Sequence, residues 1–323
     1  MRLAMANCHD LFSSFYEAIA LSDSGKENLK KARDAIRDRI KKIFVDQKRI
    51  PVPQFCEQGS YAMHTIVNPI DGEYDIDDGV YLQNLDSTDD SNWPTPETVH
   101  KWIFDAVDGH TNQPPIDKRT CVRVIYAGHY HVDLPIYAEL KGVNLHAEKG
   151  EKGWHPSDPK TIVEWFQNAV KKGGDQLRRM VRHLKAWVDY RSKDGKLPSG
   201  FVLTVLADNE FLPHDRDDVC FGQLVKNIYT HLMSSTILHN PLDSSEDLLA
   251  RYDRKDIERF INAIRHLKTA AANALAAEKK TDACKQWRTE FGNRWPDCDT
   301  LEKSDKSIYT VAPAILRDDA RSA

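Results

Sequence analysis

No stretch of this chain approaches 18 uninterrupted apolar residues, so nothing in it reads as a membrane span. The opening Met1-Arg2-Leu3-Ala4-Met5-Ala6-Asn7 turns polar too soon for the apolar core of a secretion signal. The six cysteines (Cys8, Cys56, Cys121, Cys220, Cys284, Cys298) are scattered and include no C-x-x-C pair, which sets aside zinc fingers and disulfide frameworks. They are expected to be reduced, mostly buried thiols of a cytoplasmic protein. Nor is one sign of charge in excess, with 45 Lys and Arg against 49 Asp and Glu and a net charge of −4. Such a balance does not make a general polyanion binder, so any phosphate chemistry must use a local basic pocket. Repeats and low-complexity tracts are absent as well. What is present is a chain of 323 residues, 41% hydrophobic and 29% charged, enough for two domains of roughly 150 residues or one elaborated fold.

The first strong pattern is a helix from about Ser24 to Phe44. Ser24 and Glu27 have the spacing of a capping box, and Leu29, Ala32, Ile36, Ile40, Ile43 and Phe44 recur along one face. Pro51 and Pro53 close this region. From Gln54 to about Ala138 the period shortens. Phe55 to Gln58, Asp75 to Leu82, Val122 to Ala127 and Tyr130 to Tyr137 read as strands, with a helix predicted from Thr95 to Val107. Past Gly153 the strand signals fade. Asp158-Pro159 opens a helix that Gly173-Gly174 interrupts. Further helical patterns cover Leu177 to Val188, Val202 to Leu206, Leu224 to Met233, Asp256 to Lys279 and Asp282 to Phe291. The expected class is α+β: a mixed sheet with helices over residues 1–155, a helical domain over 156–302, and a loose tail over 303–323.

The chemistry concentrates in Gln58-Gly59-Ser60, Asp75-Ile76-Asp77-Asp78-Gly79 and His131-Val132-Asp133. Strand side chains alternate, so Asp75 and Asp77 share one face while Ile76 and Asp78 take the other. Two carboxylates about 7 Å apart on one strand repel unless a cation lies between them. Mg²⁺ suits, because it prefers oxygen ligands and retains substrate phosphates in its shell. Asp133, on another predicted strand, supplies a third ligand if the two strands are neighbours, and three carboxylates fit a two-metal site. Gly59-Ser60 adds backbone amides and a hydroxyl for phosphate, with Tyr61 to Ile66 as the helix that follows. Each piece alone is weak; the ordered set is far more specific.

That set resembles the nucleotidyltransferases of the DNA polymerase β superfamily, and within them the bacterial cGAS/DncV-like enzymes (CD-NTases), dinucleotide-cyclase branch. The matching stretches are Gln58-Gly59-Ser60, Tyr74 to Tyr81 and His131 to Tyr137. Weaker agreement runs through Ser157-Asp158-Pro159-Lys160, Glu164-Trp165-Phe166, Leu184-Lys185-Ala186-Trp187 and Trp287-Arg288-x-x-Phe291-Gly292. The resemblance implies a polymerase β-like core with its active site in the cleft against the helical domain. It implies that Asp75, Asp77 and Asp133 hold Mg²⁺, with Mn²⁺ as the alternative, and that Gln58, Gly59 and Ser60 meet a donor triphosphate. Lys185 and Ser199 would close on the phosphates, and Arg123 would contact an intermediate's phosphate. The implied reaction joins ATP and GTP into cyclic GMP-AMP for anti-phage (CBASS) signalling, with no membrane or nucleic-acid partner. Regulatory or conjugating proteins of a defence operon are the implied protein partners. Met63 stands where a related enzyme has an aromatic. The link from the long helix to Gly59 is shorter than in that enzyme, so no regulatory pocket is carried over.

Plainer readings stand beside these. Ser60 and Ser199 also suit helix caps, Lys185 a solvated helix lysine, and Arg123 an ion pair. His129 and His131 share a predicted strand face with Asp133, but Mg²⁺ disfavours nitrogen, so His131 is expected to orient Asp133 or pack nearby. The run Lys171, Lys172, Arg178, Arg179, Arg182 reads mostly as a solvated helix face. The competing functions are another polymerase β-type transferase, acting on RNA, protein or a small molecule or making a different oligonucleotide, and a degenerate binding module. The complete carboxylate set argues against the latter.

Overall fold

The computed structural model describes residues 5–70 and 73–301. The expected tail at 303–323 lies outside the described residues. The long amphipathic helix near the N-terminus is the second one: α1 (His9–Ala18) precedes α2 (Asp23–Ile43). The cap of α2 is Ser22 rather than Ser24, its Oγ accepting from the Gly25 amide at 3.1 Å. Leu29, Ala32, Ile36 and Ile40 form the buried stripe, as their spacing requires. A π-helical turn over Phe44–Lys48 carries the chain to the two prolines.

Next come β1 (Gln54–Gln58), α3 (Gly59–Ala62), β2 (Tyr74–Tyr81), α4 (Pro96–Val107), β3 (Ile116–Asp117) and β4 (Val122–Tyr126). The run expected from Tyr130 to Tyr137 is two strands, β5 (Tyr130–Leu134) and β6 (Ile136–Leu140), parted at Pro135, which has no amide hydrogen to give the ladder. Both pair in parallel with β2, Asp77 opposite Asp133 and Val80 opposite Ile136. Strands β7 (Val143–Glu148) and β8 (Gly153–Pro156) extend the sheet antiparallel; like the short β3, neither is foreshadowed by the strand runs of the sequence. The eight-stranded sheet runs β3-β4-β5-β2-β6-β7-β8, with β1 antiparallel on β2. Helices α2 and α4 pack on it, Ile36 and Ile103 sharing one core with Ile76, Val80 and Val132.

The helical half begins with α5 (Pro159–Gly173), capped by Asp158 onto the Thr161 amide, and α6 (Asp175–Arg191). Gly174, at φ 76°, breaks the two apart. Then follow α7 (Gly200–Glu210), α8 (Asp217–Ser234), a small hairpin of β9 (His239–Asn240) and β10 (Asp243–Asp247), α9 (Arg254–Ala276) and α10 (Lys280–Phe291). Helix α1, which the division at residue 155 assigned to the sheet unit, buries Phe12 and Phe15 in this helical core among His183, Phe221, Trp287, Phe291 and Trp295. Arg178 and Arg179 pair with Asp175 and Asp217, and Arg182 is buried with its guanidinium over Tyr16, so much of the predicted solvated basic face is tied into the fold.

One expectation about the cysteines is overturned. Cys284 and Cys298 form a disulfide, because the chain doubles back after α10 through Gly292 and brings their Cα atoms to 5.8 Å. Cys8, Cys56, Cys121 and Cys220 are free thiols. Among the described residues no helix is long and apolar enough to cross a membrane.

Candidate active site

Strand alternation divides the aspartates of β2 as predicted. Ile76 and Asp78 face α2, where Asp78 is fully buried and accepts from Arg37 Nε at 2.7 Å. Asp75 and Asp77 face the other way, into a cavity of about 1050 Å³ between the sheet and the helical half. Gln58, Gly59 and Ser60 line the same cavity. Gln58 pairs with Asp77 across β1 and β2, and its Nε2 donates to the Tyr137 hydroxyl at 3.1 Å. Gly59 then turns the chain at φ 65°, and a Cβ there would lie 2.1 Å from Asp77 Oδ2. Only glycine lets the backbone turn left-handed and pass against that carboxylate. Ser60 sits in the single helical turn of α3, which stops at Ala62 instead of running on to Ile66. The Thr65 amide closes this turn on the Ser60 carbonyl at 2.8 Å.

The parallel register sets Asp75 opposite His131 and Asp77 opposite Asp133. Donor atoms of Asp75, His131 and Asp133 lie within 4.8 Å of one another. His131 Nδ1 is 3.1 Å from Glu73 Oε2 and its Nε2 is 3.8 Å from Asp75 Oδ2, so it serves β2 rather than orienting Asp133. His129 leaves the strand face altogether; it occupies the turn between β4 and β5 at φ 55°. Asp133 is oriented by Arg123, opposite it on β4, whose Nε and Nη2 each donate to one of its oxygens at 2.7 Å. Neither Arg123 nor Asp133 is among the residues lining the cavity.

Burial, reinforced by the Asp75 and Asp133 charges, pushes the Asp77 carboxyl well above the usual carboxylate range. Burial also raises Asp75, with His131 opposing. Arg123 compensates Asp133, whereas the raised Asp75 and Asp77 carboxyls mark a surplus of negative charge that a divalent cation among Asp75, His131 and Asp133 would relieve.

From the opposite wall, Lys185 of α6 reaches down to Thr65, its Nζ donating to Oγ1 at 2.8 Å. It is not a solvated lysine: desolvation lowers its pKa to about 8, against the opposing pull of Asp75. Gly200 gives it room, since a Cβ there would stand 3.0 Å from Lys185 Cε. Ser199 caps α7, accepting from the Val202 amide at 3.4 Å and donating its own amide to the Tyr252 hydroxyl at 2.8 Å. It does not line the cavity, whereas Gly200, Phe201, Thr204 and Met63 do. Sequence reasoning missed Thr65 and Tyr137, which hold Lys185 and Gln58; neither stands in a pattern that local spacing could reveal.

A glycine-serine turn feeding an Asp-x-Asp strand, a third aspartate from the parallel neighbour and a helical half across the cleft define a nucleotidyltransferase of the polymerase β type. Residues 53–137 match the model of the cyclic GMP-AMP synthase DncV-like nucleotidyltransferase domain, and residues 174–304 that of the cyclic GMP-AMP synthase C-terminal domain. The chain belongs to the bacterial cGAS/DncV-like nucleotidyltransferases. A cyclic GMP-AMP synthase of Escherichia albertii is 30% identical over 268 residues, which are 74% of this chain and 57% of that protein. Another from Vibrio cholerae serotype O1 is 25% identical over 334 residues, 85% of this chain and 74% of the relative. The chain thus spans little more than half of the E. albertii protein. Among solved structures, the V. cholerae dinucleotide cyclase with GTP and a further ligand superposes with a TM-score of 0.78 at 21% identity, covering 92% of this chain and 98% of that one. This likeness establishes the shared fold.

Proposed function

We propose that this chain joins ATP and GTP into a cyclic dinucleotide, cyclic GMP-AMP, with release of pyrophosphate, as the synthase of an anti-phage signalling system. The observation that carries the chemistry is the parallel β2–β5 register, which sets Asp133 beside Asp77, a residue that lines the large cavity. The names of the related proteins support the choice of product. A further V. cholerae cyclase structure holds the linear intermediate pppA(3′,5′)pG, consistent with stepwise closure.

In this reading Asp75, Asp77 and Asp133 hold Mg²⁺, or Mn²⁺ in its place. The bound ions would supply charge stabilisation at the attacking and leaving oxygens. Arg123 keeps Asp133 in one orientation, and its fork leaves the carboxylate's remaining lone pairs for a cation. The Gly59 turn and the Ser60 hydroxyl bind the donor triphosphate. Lys185 adds positive charge from the helical half, and Thr65 holds it in place. A ribose hydroxyl of one nucleotide attacks the α-phosphorus of the other. The new P–O bond forms as the bond to pyrophosphate breaks. The linear product then turns over in the same cavity for the second closure. Holding both ends together makes that step effectively unimolecular, worth about 7–11 kcal/mol in good geometry. At about 1050 Å³ the cavity stands at the upper end for small-molecule sites and leaves room for two nucleotides.

The test is mass spectrometry of the product formed from the four nucleoside triphosphates with Mg²⁺. The expected result is a phosphatase-resistant species containing one adenine and one guanine, absent with Asp77→Asn. A linear oligomer, a product made equally well from one triphosphate alone, or label transferred to RNA or protein would overturn the assignment.

A further inference from the structure

A second group of ligand-type side chains lies on β7 and β8, apart from the aspartates. His146 and Glu148 are two residues apart on β7 and so share a face, and His155 of β8 stands directly opposite His146. One donor atom from each lies within 4.8 Å of the other two. His146 and Glu148 are buried, at 7% and 3% exposure, and His155 is half-buried.

Hydrogen bonding sets which nitrogen of each ring is free. His146 Nε2 lies 2.8 Å from the Thr120 carbonyl oxygen, which can only accept. Nε2 therefore carries the proton, and Nδ1 keeps its lone pair. His155 Nε2 lies 3.0 Å from Glu148 Oε2, a carboxylate oxygen that only accepts, so Nε2 carries the proton and donates it there; the Pro156 carbonyl, 3.3 Å from Nδ1, stands ready to accept from Nδ1 once a cation takes Nε2. A carbonyl behind each imidazole is the usual support of a metal-bound histidine. A cation bound between His155 Nε2 and Glu148 Oε2 would take the place of the Nε2 proton, with Nδ1–H then donating to the Pro156 carbonyl.

Two cations already approach Glu148, Arg119 Nε at 3.2 Å and Lys152 Nζ at 3.8 Å. Their side chains are 69% and 62% exposed, so both can swing into water at little cost. Bonds of about 2.0–2.1 Å to a tetrahedral ion put donors about 3.4 Å apart, so no pair has to close by more than roughly 1.4 Å.

The geometry points to a Zn²⁺ site formed by His146, Glu148 and His155, with its fourth position left to water or an anion. Two nitrogens and one carboxylate suit this borderline ion and disfavour Mg²⁺. The ion would tie β8 to β7 where His155 and Lys152 reach the cavity wall, separate from the aspartate cluster. This inference does not depend on the nucleotidyl-transfer reading.

The experiment uses the full chain carrying Asp75→Asn and Asp133→Asn, so that the aspartate cluster does not compete. The protein is stripped with chelator and titrated with Co²⁺. One equivalent should bind with the visible absorption of four-coordinate Co²⁺, and one equivalent of Zn²⁺ should displace it. Adding His155→Ala or Glu148→Gln should abolish that band, with circular dichroism checking the fold. His155 is half-buried, so His155→Ala decides the question even if Glu148→Gln misfolds. Absence of bound Co²⁺ would overturn the site and leave Glu148 at the centre of an ion-pair network. A band persisting in His155→Ala would overturn it too, marking ligands elsewhere, free thiols included.

Discussion

Arg123 is the residue whose removal should be felt most at the candidate active site. It grips Asp133 with two hydrogen bonds of 2.7 Å, and the two side chains are only 20% and 11% exposed. At an effective dielectric near 20, unit charges at that separation attract by about 6 kcal/mol before desolvation is counted. Arg123→Met keeps much of the packing volume but leaves Asp133 charged, mostly buried and beside Asp75 and Asp77. Breaking a buried pair in this way costs about 3–5 kcal/mol, and partial solvent access reduces the expected loss to about 2–4 kcal/mol. Urea unfolding in EDTA reads it directly. A double-mutant cycle isolates the pair: with Asp133→Asn in the background, Arg123→Met should cost much less, because no stranded charge remains. Saturating Mg²⁺ should recover part of the loss in Arg123→Met alone, since the ion binds only the folded aspartate cluster. A destabilisation below about 0.5 kcal/mol, or one equally large in the Asp133→Asn background, would refute the assignment of Arg123 as the group that compensates Asp133.

Asp77→Asn should abolish synthesis yet stabilise the metal-free fold. The raised Asp77 pKa makes wild-type stability fall as pH climbs from about 4 through the raised value, and urea unfolding across that window should show the slope flatten in the variant. Lys185→Ala should raise the KM for triphosphate more than it lowers kcat, as steady-state kinetics will show. Because the folded pKa of Lys185 is about 8 against an ordinary 10.5, this lysine makes stability rise with pH between those values. Lys185→Met should remove that rise, and an unchanged pH profile would return Lys185 to an ordinary surface role. Gly59→Ala forces a Cβ to 2.1 Å from Asp77 Oδ2 in a left-handed turn. It should cost about 1–2 kcal/mol from the backbone alone and lower kcat/KM by about 100-fold or more through the displaced carboxylate, with both read on the purified variant.

Local pattern carried a large part of this protein. Alternation on β2 placed Asp75 and Asp77 on one face and Asp78 on the other, because the strand period is a property of the backbone alone. The apolar stripe of α2, the Asp158 cap of α5 and the break at Gly173-Gly174 were legible for the same reason: each is decided within a few residues. The cap of α2 was misplaced by two residues because Ser22 and Ser24 both suit the position, and only the backbone path selects between them. Strands β7 and β8 went unread because they lack a long run of β-branched residues and are held by their neighbours.

Local residue pattern thus carries the inventory and order of the parts: a glycine-serine turn, an Asp-x-Asp strand, a later aspartate strand and a helical half. Tertiary structure alone decided the partners. Parallel pairing of β2 with β5 put His131 beside Asp75 and left Asp133 to Arg123. Lys185 found Thr65 across 120 positions of chain, and α1 left the sheet half for the aromatic core around Phe221 and Trp287. Cys284 met Cys298 only because the chain folds back after Gly292. Such pairings follow from burying large surfaces and satisfying charges across long loops, where entropy rises slowly with loop length and no local spacing records the choice.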